Sequence, residues 1–215
     1  MKETNWPQLS SVWEKADRIA ESIKDQNICP KFEELFKAYE LTSLQDTKVV
    51  LLDMEPVCTD EAIGLSYANR SHRISAGNRV LLNSLRKSEL VSDRLETADF
   101  SKWASQGVLM LNLVLSTEKN YIRKHHNIGW QQVTKRTLIE LTYKEEPVVF
   151  MLWGKEVIYE VENLVKDIPQ HLVLKNVHPL SEIYGLEKFS DKGDFKKANE
   201  WLIAHGKTPI QWDTL

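Results

Sequence analysis

The sequence predicts an α/β protein with three layers, α/β/α, around a central four-stranded, mainly parallel sheet. Three observations carry that expectation. Four short apolar runs, at 49–52 (VVLL), 108–115 (VLMLNLVL), 148–153 (VVFMLW) and 171–174 (HLVL), are continuous rather than alternating, as strands buried on both faces are. Stretches with helical spacing lie between them. Strand and helix therefore alternate, which favours parallel pairing with helices on both faces. The 215 residues, 42% hydrophobic, suffice for a full core, and no repeat, low-complexity segment or linker divides them. One domain over 1–215 is expected.

Taken in order, residues 8–24 place Val12, Ile19 and Ile23 at helical spacing. Cys29-Pro30 then breaks the chain. Phe32, Leu35, Phe36 and Tyr39 predict a second amphipathic helix with Pro30 near its start. The first strand follows, then helices near 78–90 and 98–104, the second strand, a helix at 130–143, the third strand, a helix at 154–167 and the fourth strand. The last helix spans about 194–205, with Gly206 as its stop. The seven tryptophans are read as core.

Net charge is −3, so no global field draws the chain to nucleic acid, and any such contact must be local. The two cysteines, Cys29 and Cys58, form no C-x-x-C pair, which excludes a zinc knuckle and a disulfide framework. The opening residues MKETNWPQLSSVWEKA lack the apolar core of a signal peptide, and no run reaches membrane-spanning length. A soluble, cytoplasmic protein without membrane contact is expected.

Ligands of such sheets bind beyond the carboxyl ends of the strands. The first strand runs into Asp53-Met54-Glu55, the second into Asn112 and on to Ser116-Thr117, the third into Trp153-Gly154-Lys155, the fourth into Asn176-Val177-His178. An acid pair, an amide and a histidine would then share one crevice. Glu55 or Asp53 would serve as base or charge stabiliser, Asn112 would read a planar polar ligand, and His178 would donate to an anion. Structural roles compete: Asn112 satisfying a loop backbone, His178-Pro179 shaping a turn, Glu55-Pro56 forming an exposed turn.

The motifs in order resemble the family-1 (UNG-like) uracil-DNA glycosylases. Where that family reads GQDPYH…QAHGLAFS, the chain reads DMEPVC…EAIGLSYA. WASQGVLMLNLVLST, HHNIGWQQVT, VVFMLWGK, NVHPLSEIYG and FKKANEWLIAHGKTPIQW are similar to further family segments, as is CPKFEELFKAY upstream. The likeness spans nearly the whole chain and implies the family's fold and chemistry: hydrolysis of the N-glycosidic bond of a base flipped out of DNA, through an oxocarbenium-like sugar.

By position, the resemblance implies that Glu55 stands for the catalytic aspartate and that His178 faces O2 of the leaving base. It gives Asn112 the Watson–Crick edge, Tyr67 the stacking ring, and Met54 and Val57 the rest of the base site. Val57 replaces a tyrosine that blocks the 5-position, which implies room for thymine or a 5-substituted pyrimidine. Asp53 replaces a glycine and is expected to raise the pKa of Glu55. Leu180 is the candidate wedge into the duplex. Ser181, Ser75, Lys124, His126 and Lys155 are the candidate DNA contacts, in loops 71–78, 119–127 and 153–155. His125 and His126 have no third ligand at suitable spacing, so no metal and no cofactor is expected. The implied partners are single- and double-stranded DNA and a proteinaceous glycosylase inhibitor, and a monomer is expected. The altered DMEPVC and shortened HPLS loops leave a second reading: a glycosylase-fold DNA-binding or accessory protein, or an inhibitor decoy, with weak chemistry.

Overall fold

The structure is a computed structural model and describes residues 2–70, 74–92 and 97–213. The chain opens with a short helix α1 (Lys2–Asn5), a 3-10 turn (Pro7–Leu9) and α2 (Ser10–Ile23). There follow β1 (Ile28–Cys29), α3 (Lys37–Leu41), β2 (Val49–Asp53), α4 (Ala76–Lys87), α5 (Ser101–Ala104), β3 (Val108–Asn112) and β4 (Thr117–Glu118). The chain closes with α6 (Trp130–Thr142), β5 (Val149–Trp153), α7 (Lys155–Val165), β6 (Leu172–Asn176), α8 (Pro179–Ile183) and α9 (Asp194–Ala204).

The central sheet has the order β3-β2-β5-β6, and every pairing in it is parallel. Its register sets Asp53 beside Asn112 and Trp153 beside Asn176, so the strand ends form one edge. The residues of β3 and β5 are all buried, which explains their unbroken apolar runs. α2 packs on α6 and α6 on α7, while α4 packs on α8 and α9; these groups flank the sheet. Trp6, Trp103, Trp130, Trp153 and Trp212 are fully buried and Trp13 nearly so, as the core reading of the tryptophans requires, whereas Trp201 is half-buried.

Several elements differ from the sequence expectation. The helix expected from Phe32 to Tyr39 is a 3-10 turn (Phe32–Glu34) followed by α3. Aromatic packing sets this path: Phe36 lies edge-on to Trp13 and Trp130, and Tyr39 edge-on to Trp6 and Trp13. Tertiary contacts of this kind outweigh helix propensity. The second strand stops at Asn112 rather than Leu115. The Leu113 and Val114 N–H groups still reach the Asp53 and Met54 carbonyls, both at 2.9 Å, before the chain leaves for β4, which pairs antiparallel with β1. The fourth strand begins after His171, whose Nδ1 accepts from the Val148 N–H at 3.3 Å. Only Ser101–Ala104 of the 98–104 segment is helical.

A buried carboxylate ties the sheet to the last helix. Asp194 accepts from Trp153 Nε1 at 2.9 Å and Asn176 Nδ2 at 3.0 Å. Burial pushes its pKa up, and those two donors pull it back.

Candidate active site

All four strands of the sheet end on one side, and β2 and β5 flank the point where the strand order reverses, the usual ligand position in open α/β sheets. A cavity of about 320 Å³ opens there, lined among others by Asp53, Glu55, Tyr67, Asn112, His178 and Leu180. It is not filled by the protein's own side chains. Residues distant in sequence therefore meet as the strand ends require.

Asn112 closes β3 and is only 4% exposed, yet its Oδ1 is buried with no hydrogen-bond partner among the described residues. Had this amide served a loop backbone, the oxygen would be paired, because buried polar atoms nearly always are. An amide whose oxygen has no protein partner, on a residue that lines a cavity, is a candidate ligand group. The Asn side chain can accept and donate side by side, matching the N3–H and O4 of a pyrimidine imide edge.

Tyr67 supplies the aromatic wall. Its ring stands edge-on to Trp153 with centroids 5.2 Å apart and lies 6.1 Å from the His178 ring. Its backbone is left-handed, with φ of +59°, an unusual state for a bulky residue. Asn78 holds it there: Asn78 Nδ2 donates to the Tyr67 carbonyl while its Oδ1 accepts from Asn69 Nδ2. Just upstream, Gly64 has φ of +77°, and a Cβ there would sit 2.0 Å from the Glu34 carbonyl oxygen, so the loop needs glycine. Burial, then the neighbouring Asp53 carboxylate, keeps the Tyr67 phenol protonated well above its ordinary pKa.

His178 caps α8. Its Nδ1 accepts from the Leu180 N–H at 3.2 Å, so the neutral ring carries its proton on Nε2. Nε2–H is a donor on the cavity side, 3.7 Å from Asp53 Oδ1. Gly154 makes space for the ring: a Cβ there would lie 3.3 Å from the His178 Cβ.

Glu55 is half-buried, and both its oxygens accept from the Arg123 N–H, at 3.0 and 3.1 Å. Arg123 has φ of +62°, and its guanidinium grips Glu156 in a bidentate pair at 3.0 and 2.9 Å. The 119–127 loop thus clamps the acid in place. Burial is the main cause that raises the Glu55 pKa. The Arg123 N–H and guanidinium and His126 lower it, and Asp53 adds a smaller push upward. Asp53 therefore acts in the expected direction but is not the main cause.

The chain is 33% identical to "Uracil-DNA glycosylase 1" of Listeria monocytogenes serotype 4b over 201 residues, 91% of this chain and 89% of the relative. It is 36% identical to the uracil-DNA glycosylase of Shewanella oneidensis over 191 residues, 86% of this chain and 84% of that protein. The chain belongs to the uracil-DNA glycosylase family. No model of a known protein family matches it. The crystal structure of mimivirus uracil-DNA glycosylase superposes with a TM-score of 0.79 at 24% identity, covering 98% of this chain and 82% of that one. The mimivirus UNG Y322L variant in complex with UGI gives 0.81 at 21% identity, with 98% and 88% covered. These two likenesses concern the fold.

Within the glycosylase, the other sequence candidates fall in two places. Val57 (50% exposed) and Leu180 line both the base cavity and an adjoining groove of about 560 Å³. The side chain of Met54 and that of Lys155 line the groove and not the base cavity. Leu180 is half-buried, with its Cδ2 3.8 Å from where a Gly77 Cβ would be, so it packs over the start of α4. Ser181 follows it on α8 and is also half-buried. Ser75 caps α4 in a reciprocal arrangement with Asn78, so its hydroxyl is already engaged. Lys124 is exposed, 4.0 Å from Glu118, with its ammonium over the Tyr121 ring. His126 is half-buried with an unpartnered Nδ1. Residues 71–73 of the first candidate loop lie outside the described residues.

Sequence reasoning placed Asn78, Arg123 and Gly154 in candidate DNA loops but missed that they hold Tyr67, Glu55 and His178, and it missed Asn69 altogether. Each acts on another site residue, and only the left-handed turn at Gly154 leaves a trace in the sequence. His125 is structural: its ring nitrogens meet Ser116 Oγ at 2.8 Å and Gln26 Oε1 at 3.0 Å. Among the described residues no group of three His, Cys, Asp or Glu side chains is placed to hold a metal ion. No helix among them is long and apolar enough to cross a membrane.

Proposed function

We propose that the chain hydrolyses the N-glycosidic bond of uracil, or of a 5-substituted relative, flipped out of DNA. The observation that carries this reading is that one cavity is lined both by Asn112, whose Oδ1 has no partner among the described residues, and by His178 with its Nε2–H donor. The flipped base lies against Tyr67, with its N3–H and O4 on the Asn112 amide and its O2 toward His178. As the glycosidic bond breaks, negative charge gathers on O2, and a fixed N–H donor there favours the transition state over the bound substrate. Glu55, held by the Arg123 N–H, steadies the cationic sugar and orients the attacking water.

In this reading the DNA backbone meets Lys155 at the edge of the groove beside the cavity, since Arg123 is paired with Glu156 and the groove itself carries Asp53 and Glu55. Leu180 and Ser181 flank the entry. A proteinaceous inhibitor is a further partner of this face, a reading supported by mimivirus neighbours solved with UGI. The half-exposed Val57 supports acceptance of thymine or 5-hydroxymethyluracil beside uracil. We further place the protein in the cytoplasm as a monomer.

The test uses labelled single- and double-stranded oligonucleotides bearing uracil, thymine or 5-hydroxymethyluracil, followed by alkali cleavage at abasic sites. Uracil strands are cut, and Glu55→Gln removes the cutting while DNA affinity stays. An absence of strand breaks for every base at high enzyme excess rejects the reading.

A further inference from the structure

The cavity holds a second carboxylate for which the proposed reaction has no role. Asp53 ends β2 with its side chain 18% exposed. Its Oδ1 accepts from the Met54 N–H at 2.8 Å, and His178 Nε2 lies 3.7 Å from the same oxygen. Because Nδ1 of His178 is occupied by the Leu180 N–H, Nε2 is the nitrogen with a proton to give. The Met54 N–H bonds this oxygen, and the imidazole N–H lies 3.7 Å from it, beyond hydrogen-bond length, along a partly desolvated cavity. A ligand oxygen that took the carboxylate's place would have that imidazole N–H as a donor.

We infer that Asp53 is a specificity-determining residue whose carboxylate occupies the position of the leaving base's O2, so that uracil must displace it to reach the His178 donor. This rests on the reading of the cavity as a uracil pocket. Two effects follow from the geometry. Bound uracil competes with a tethered anion, which weakens the affinity for the base. Once uracil is bound, a displaced carboxylate nearby opposes the charge that grows on O2, which slows bond breaking more than it slows binding. Tyr67 reports the same field, since the Asp53 charge contributes to keeping its phenol protonated.

The test compares the full chain with Asp53→Gly and the near-isosteric Asp53→Asn. Two readouts are taken: calorimetric binding of free uracil and single-turnover excision from a uracil-bearing single strand. Asp53→Gly is expected to bind uracil about tenfold tighter or more and to excise it faster by at least as much, with Asp53→Asn between it and the parent. Should Asp53→Gly fail to fold, Asp53→Asn decides. Variants that fold and bind uracil no tighter than the parent overturn the inference, as do variants that excise more slowly. If the variants bind uracil more tightly but neither they nor the parent excise it, Asp53 keeps its assigned role and the glycosylase reading falls. If none of the three binds uracil at several millimolar, both fall.

Discussion

Glu55 works at a pH set by its surroundings. Burial lifts its pKa, and Arg123 opposes that lift. The proposed reaction needs the ionised form, so activity is expected to be lost as pH falls through the raised value. The acid limb of kcat/KM is therefore expected above about 4.3, the ordinary glutamate position. Arg123→Ala removes a lowering charge and should move that limb to higher pH in a pH–rate profile. The linkage to folding has the opposite sense: a pKa raised in the fold means that Glu55's contribution to stability declines as pH rises from its unfolded to its folded value. Asn112 shows the same tension between task and fold. Its unpaired Oδ1 costs stability, so Asn112→Leu should raise the unfolding free energy by about 1 kcal/mol in urea titrations while excision disappears.

The supporting elements matter through what they hold. Gly154 turns the chain from β5 into α7 with φ of +96° and leaves the space that His178 fills. Gly154→Ala adds left-handed strain of about 1–2 kcal/mol and presses on the imidazole. Excision should fall further than the melting temperature alone accounts for, as single-turnover assays beside thermal melts would register. The strands β2, β3 and β5 were legible in the sequence because a doubly covered strand is apolar along almost its whole length, while the edge strand β6, half-buried with Lys175 exposed, showed only a short apolar run. The sheet-edge residues Glu55, Asn112 and His178 were legible for the same reason, since strand ends fix where ligands meet. The segment from Phe32 to Tyr39 was not, because its apolar spacing fits a helix equally well and only the distant Trp6, Trp13 and Trp130 settle its path. The clamp on Glu55 was hidden too: a backbone N–H has no letter in the sequence, and the 119–127 loop read only as a basic stretch.

At the scale of the molecule, Asp194 fastens the helix α9 to the ends of β5 and β6. Asp194→Ala leaves Trp153 Nε1 buried without an acceptor and Asn176 Nδ2 with the Phe189 carbonyl alone. The expected loss is about 2–3 kcal/mol, or roughly 5–10 °C in Tm by calorimetry. With a net charge of −3, DNA must be held by local cations near the groove. Affinity for a uracil-free strand should therefore fall steeply with salt, and Lys155→Ala should reduce the log–log slope by about one phosphate contact. The strand order carries a biological corollary. The acid, the amide and the imidazole sit at 55, 112 and 178, and the last arrives only with β6. A chain cut short before β6 lacks the imidazole that the proposed reaction sets against O2, and such a truncate is expected to excise nothing.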